Sequence, residues 1–129
     1  MCVAVYVASD NPLPSVESDY LHVRPISGVE EQVVTHFSKP FAHFIGASTG
    51  CACGFYYAEE NDPDWEKSMD ELIELLAENA VGEDLEFYVC WYGDEGKALD
   101  RRQEIGRSAL KDDLSWCTFR VWTRVKAVF

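Results

Sequence analysis

Apolar positions recur along this chain with two periods, and the switches between them divide it into elements. From Cys2 to Ala8 both alternating sets are apolar, Val3, Val5 and Val7 on one side and Ala4, Tyr6 and Ala8 on the other. That pattern predicts a strand covered on both faces. Prolines at 12 and 14 mark Asn11–Ser15 as a loop, and Tyr20–Ile26 alternates again, with Leu21 and Val23 opposite His22 and Arg24. Ser27-Gly28-Val29-Glu30 has the form of a capping box, and Val29, Val33 and Phe37 fall on one helical face before Pro40. A short helix over 28–37 is therefore expected.

Phe41–Ile45 and Cys53–Ala58 read as strands on either side of a glycine-bounded loop. Asp62 and Pro63 supply a cap and a first helical residue for the best helix of the chain, 63–81. In it Trp65, Met69, Leu72, Ile73, Leu76 and Ala80 form a stripe, Glu66, Asp70, Glu71, Glu74 and Glu78 lie mostly off it, and Gly82 is the stop. Leu85–Tyr92 is a strand pattern, Gly93–Gly96 a turn, and Trp116–Phe129 the longest strand pattern. In that last run Cys117, Phe119, Val121, Val125, Ala127 and Phe129 share a face that Thr123 interrupts, with Arg120, Trp122, Arg124 and Lys126 opposite. Residues 97–115 stay open, because a helix there would have poor apolar spacing and Gly106 inside it. Together these elements predict one α+β domain over residues 1–129, a sandwich with a mainly antiparallel or mixed sheet carrying the long helix on one face.

The charge pattern narrows the partners. Net charge is −12, which disfavours nucleic acid, since phosphate binding needs clustered cations. Acidic residues concentrate in 59–95, fourteen against the single Lys67, whereas eight basic residues follow from Lys97 onward. The two regions either neutralise each other or present separate binding faces. No apolar run approaches the ~20 residues that span a bilayer, so no membrane association is expected. Met1–Ala8 lacks a basic start and Asp10 follows closely, unlike a signal peptide. Five cysteines without a framework spacing fit reduced thiols, and a cytoplasmic location is expected.

The chemistry-bearing segment is Gly46-Ala47-Ser48-Thr49-Gly50-Cys51-Ala52-Cys53-Gly54-Phe55. Thiolates at Cys51 and Cys53 could hold zinc or another thiophilic metal, with Cys90, Cys2 or His43 completing a tetrahedral set. A Cys51–Cys53 disulfide would close a small strained ring suited to redox exchange. A nucleophile at either thiol would need His43 or His36 as base, and Cys2 would become an N-terminal nucleophile only if Met1 were removed. Each reading competes with plain packing, the usual role of cysteine and of a partly buried histidine. The chain carries no Walker motif, dinucleotide fingerprint, His-Glu-x-x-His or nucleophile elbow.

Gly46–Phe55, Cys90-Trp91-Tyr92-Gly93-Asp94-Glu95 and Phe37-Ser38-Lys39-Pro40 resemble a small family of uncharacterised bacterial proteins with a G-S-x-x-G-C-x-C-G-F-like segment and a later C-W-x-G-D-E-like segment. The resemblance extends over about a quarter of the chain, departs at Ala47 where the pattern has serine, and implies no activity, cofactor or catalytic residue.

Two functions follow from the sequence. The first is a thiol-centred site for metal or redox chemistry at Cys51-Ala52-Cys53, with Cys90 and His43 nearby. The second is a non-catalytic protein-interaction module that uses the acidic helix and the basic C-terminal strand, toward a protein partner or a second copy. On the first, Cys51 or Cys53 reacts with a thiol reagent at pH 7 much faster than Cys117, and a bound metal protects both until a chelator is added. Mass spectrometry of the trapped peptides reads this out; two inert thiols with no metal recovered leave the loop a structural one.

Overall fold

Val3–Ser9 forms strand β1, and every residue of it is buried. Its two apolar faces, legible in the sequence, put it in the middle of the sheet. The computed structural model describes residues 2–47, 64–112 and 120–127. Within them β1 is followed by β2 (Val16–Glu17), β3 (His22–Pro25), a 3₁₀ helix (Gly28–His36), β4 (Phe41–Gly46), α1 (Asp64–Asn79), β5 (Leu85–Trp91), β6 (Arg101–Gly106), α2 (Ala109–Asp112) and β7 (Val121–Lys126). The strands form one mixed sheet in the order β2-β3-β4-β1-β5-β7-β6, antiparallel except for the parallel pair β6–β7. The α+β class with one long and one short helix is as the sequence predicts.

Directly paired residues point to the same side of a sheet, so the register sorts the side chains into two faces. Val3, Val5 and Val7 pair with Trp91, Val89 and Phe87, and Val5 also pairs with Ile45. This face holds the main core, which Met69, Leu72, Leu75 and Leu76 of α1 complete. The apolar stripe of α1 is the predicted one with two adjustments: Leu75 joins the buried set, and Trp65 and Ile73 are only partly buried. The helix ends before Gly82, whose φ of 69° is left-handed as a C-terminal stop requires. Arg107 seals that end: its guanidinium donates to the carbonyls of Leu76, Ala80 and Glu83, placing a cation at the negative end of the helix dipole.

The opposite face carries a row of large side chains in unbroken register. Arg24 pairs with Phe44, Phe44 with Tyr6, Tyr6 with Tyr88, Tyr88 with Trp122 and Trp122 with Arg102, across six strands. The 3₁₀ helix and the turn after β5 cover the middle of this row.

Two sequence expectations change, and two stretches left without a reading gain strands. The 28–37 helix is 3₁₀, which eclipses side chains three apart. The stripe turned to the sheet is therefore Glu30, Val33 and His36, while Val29 and Val34 are exposed. Residues 97–115 contain strand β6, whose partial exposure as an edge strand erases the alternation that would have revealed it. The final strand starts only at Val121, after Arg120 with a left-handed φ of 58°; Cys117, Phe119 and Phe129 lie outside the described residues. The two-residue β2, in a stretch the sequence left unassigned, pairs with β3. The predicted strand at Cys53–Ala58 and the cap at Asp62-Pro63 also lie outside the described residues.

Leu72 is fully buried between α1 and the sheet. Leu72→Ala is expected to cost about 2–5 kcal/mol in denaturant unfolding, and a loss below about 0.5 kcal/mol would mean that α1 presents a different face.

Candidate functional site

The four residues singled out for thiol chemistry do not gather as a group. Cys51 and Cys53 lie outside the described residues. Cys90 pairs with Ala4 and His43 with Val7. Positions 4 and 7 of one strand face opposite sides, so the Cys90 and His43 side chains are separated by the sheet itself. His43 is committed to the fold. Its Nε2 accepts the Leu13 N–H at 2.9 Å, and its Nδ1 lies 3.2 Å from the Val7 carbonyl, to which it donates. It thereby ties the proline-rich loop to the sheet and holds Leu13 in the core. Burial pushes its pKa below the usual imidazole range, against the pull of the Val7 carbonyl. Cys90 is fully buried beside Ala4, Tyr6, Val33, Phe44 and Tyr88. Burial, then the charges of Glu95 and Asp94, push its thiol far above the ordinary range, the opposite of an activated thiolate. Cys2 is exposed. Among the described residues no three histidine, cysteine or carboxylate side chains are placed to hold a metal ion.

The aromatic face has a polar centre that the sequence did not reveal. Three glutamates are buried there: Glu30, Glu86 and Glu95. Glu30 receives both guanidinium nitrogens of Arg24 at 2.6 Å, the Ser27 N–H at 3.0 Å and the Tyr92 hydroxyl at 2.8 Å. Burial alone would raise its pKa, but these donors hold the carboxyl below its usual range. The capping-box spacing gave only the Ser27 contact. Glu95 accepts the Tyr6 hydroxyl at 2.6 Å and the Gly93 N–H at 2.9 Å, and its carbonyl receives His36 Nε2–H at 2.8 Å. Burial, reinforced by Glu95, drives the Tyr6 phenol pKa far up, so it remains a donor at any ordinary pH. Glu86 accepts the N–H groups of Ser38 and Lys39 and the Ser38 hydroxyl, all within 3.0 Å. His36 lies against the Tyr88 ring, 4.3 Å between centroids. Burial lowers its pKa, opposed by the Glu95 carbonyl and aided by Arg102.

Beyond the covered centre, the row ends at Trp122. Arg102 and Arg124 lie over its indole, 4.7 and 5.5 Å from the ring centre. The register partner of Arg124 is Glu86, but the Glu86 carboxylate is spent on the 38–39 backbone. Arg124 instead reaches Glu104 at 3.9 Å, and Lys126 reaches the same carboxylate at 3.1 Å. Lys111 pairs with Glu66 and Asp70 of α1, Lys97 with Asp94 and Arg120 with Asp100. Thus only Lys111 of these lysines and arginines answers the acidic helix, and the others find carboxylates in the turn and loop before β6 or on β6 itself. Arg102 takes part in no ion pair among the described residues. A cleft of about 240 Å³ opens beside it, lined by Thr35, His36, Phe37, Ser38, Glu86, Arg102, Trp122 and Arg124. Of its lining residues, the sequence had marked His36, Trp122 and Arg124; Arg102 was hidden in the unassigned stretch.

No protein-family model matches the chain, and no curated protein or solved structure matches it.

Buried His43 and half-buried His36 set a direction for stability against pH. Both favour the neutral ring in the fold, whereas in the unfolded chain they protonate near pH ~6.5. Their contribution is complete above that pH and is lost as pH falls below it, with at most about 1.4 kcal/mol per pH unit from the deeply buried His43. Thermal unfolding is expected to weaken steadily from pH 7 to pH 5, and His36→Gln to flatten part of that slope. A stability that is level across this window would contradict the buried neutral rings.

Proposed function

We propose that this protein is a non-catalytic protein-interaction module whose binding surface is the Trp122 flank of the sheet and whose partner presents an acidic segment. The observation that carries the reading is the stack of Arg102 and Arg124 on Trp122 beside an open cleft, with Arg102 lacking a carboxylate partner among the described residues. Tryptophan and arginine are the residues most enriched where interfaces concentrate their binding energy. A guanidinium held over an indole ring by its face attraction does not spend its N–H donors on that contact, which leaves them for an anion. The strongly acidic remainder of the molecule disfavours anionic partners elsewhere, so an acidic segment would be steered to this flank.

The thiol-centred reading, with zinc or another thiophilic metal or redox exchange, rests on Cys51 and Cys53 alone, because Cys90 and His43 are engaged on opposite faces of the sheet.

A photo-crosslinking residue at the exposed position Thr35, on the rim of the cleft, tests the interaction reading in cells, with Glu78 on α1 as the control position. The expected result is a discrete protein adduct from position 35, mapped to an acidic segment and reduced about tenfold or more by Arg102→Glu. Adducts that are equal at both positions, or that contain nucleic acid, would overturn it.

A further inference from the structure

The cleft beside Trp122 has features that a flat interaction surface does not need. It is formed where the end of the 3₁₀ helix meets β5, β7 and β6, so its walls come from four elements. Its volume of about 240 Å³ corresponds to roughly eight waters at about 30 Å³ each, below the ~300 Å³ at which sites for small organic molecules begin. It has room for a small charged head and not for a nucleoside.

The donors and acceptors in its wall are unevenly spent. The Glu86 carboxylate faces the Ser38 and Lys39 N–H groups and the Ser38 hydroxyl, so its charge is turned away into the backbone. Thr35 donates its hydroxyl to the Gln32 carbonyl and keeps its own oxygen as acceptor only. Among the described residues Arg102 makes a contact with the Trp122 ring and no ion pair, and Arg124 adds to its own contact with that ring one distant contact with Glu104. Trp122 is 6 % exposed, and its Nε1–H is buried without an acceptor among the described residues.

We infer that this cleft is an oxyanion subsite, taking a carboxylate or a phosphate-monoester head on the forks of Arg102 and Arg124 with the Trp122 ring beside them. The inference rests on the interaction-module reading in that the oxyanion would be the anchoring group of the bound acidic segment. Two guanidinium groups within 4.7 and 5.5 Å of one indole ring centre match either head, since both accept paired N–H donors.

The Trp122 indole N–H reports on the site directly in a proton–nitrogen correlation spectrum of the full chain, its signal identified by its loss in Trp122→Phe. Sodium acetate and sodium phosphate are titrated separately at constant ionic strength set with sodium chloride. A saturable shift of that signal with a dissociation constant of about 1–10 mM supports the subsite. The stronger of the two salts identifies the head group. Arg102→Gln, at an exposed position, is expected to weaken binding at least tenfold with the remaining amide signals in place, and Arg102→Lys to restore only part of it. Shifts no larger than those from chloride, or shifts that Arg102→Gln leaves unchanged, would overturn the subsite. If oxyanions bind but crosslinking at position 35 finds no acidic partner, the subsite stands and the interaction reading falls; an acidic partner with no oxyanion response gives the reverse.

Discussion

Three carboxylates buried under a 3₁₀ helix hold this structure's second face together. Burying an ionised carboxyl costs several kcal/mol unless donors replace its water, and each of these has at least two. Glu95 receives Tyr6 and Gly93, Glu86 receives Ser38 and Lys39, and Glu30 receives Arg24, Ser27 and Tyr92. Every one of these contacts joins the covering segment or the turn after β5 to the sheet or to the other, apart from the Ser27 and Gly93 contacts, which brace their own turns. The covering layer has little apolar area of its own, with Val33 its one fully buried hydrophobic residue. Hydrogen bonding therefore decides where it sits, and that position decides which part of the aromatic row stays covered. Tyr6 and Tyr88 are sealed beneath it; Trp122, one strand further on, forms the wall of the open cleft.

The helix-packed face was legible because it obeys simple periodicity. Alternation in β1 and β5 and the stripe Met69, Leu72, Leu76 in α1 are burial patterns, and burial produced them. The aromatic face was not, because it is organised by cross-strand register. Phe44, Tyr6, Tyr88, Trp122 and Arg102 are far apart in sequence, and nothing local in any one strand says that they align. Helical period misled in the same region. A spacing of four joined Val29, Val33 and Phe37, but the 3₁₀ period of three turned Glu30, Val33 and His36 inward, two polar residues among them.

Residue type alone also says little about what Cys90 and His43 do. Cys90 and His43 stand out in the sequence as reactive types, yet each sits at a position where the sheet needs a small apolar group or a two-ended hydrogen-bond bridge. Reactivity depends on exposure and neighbouring charge, which residue type alone does not convey. Conversely, Trp122 and Arg124 were visible as a basic aromatic face, and it is Arg102, on a strand the sequence hid, that leaves this face with a cation unpaired among the described residues. Of the pairs described, only those of Lys111 join the basic region to α1, so local pairing absorbs most of the asymmetry there.

If buried carboxylates rather than apolar area fix the covering layer, its persistence should depend on one of them. Amide hydrogen exchange, resolved by peptide, measures this for residues 28–36 against β1. In the native chain the segment should be protected well beyond a surface turn. In Glu95→Gln, which weakens the acceptor for Tyr6 and Gly93, its protection should fall by an order of magnitude or more while β1 stays protected. A segment that exchanges freely in the native chain, or that is indifferent to Glu95→Gln, would contradict the account.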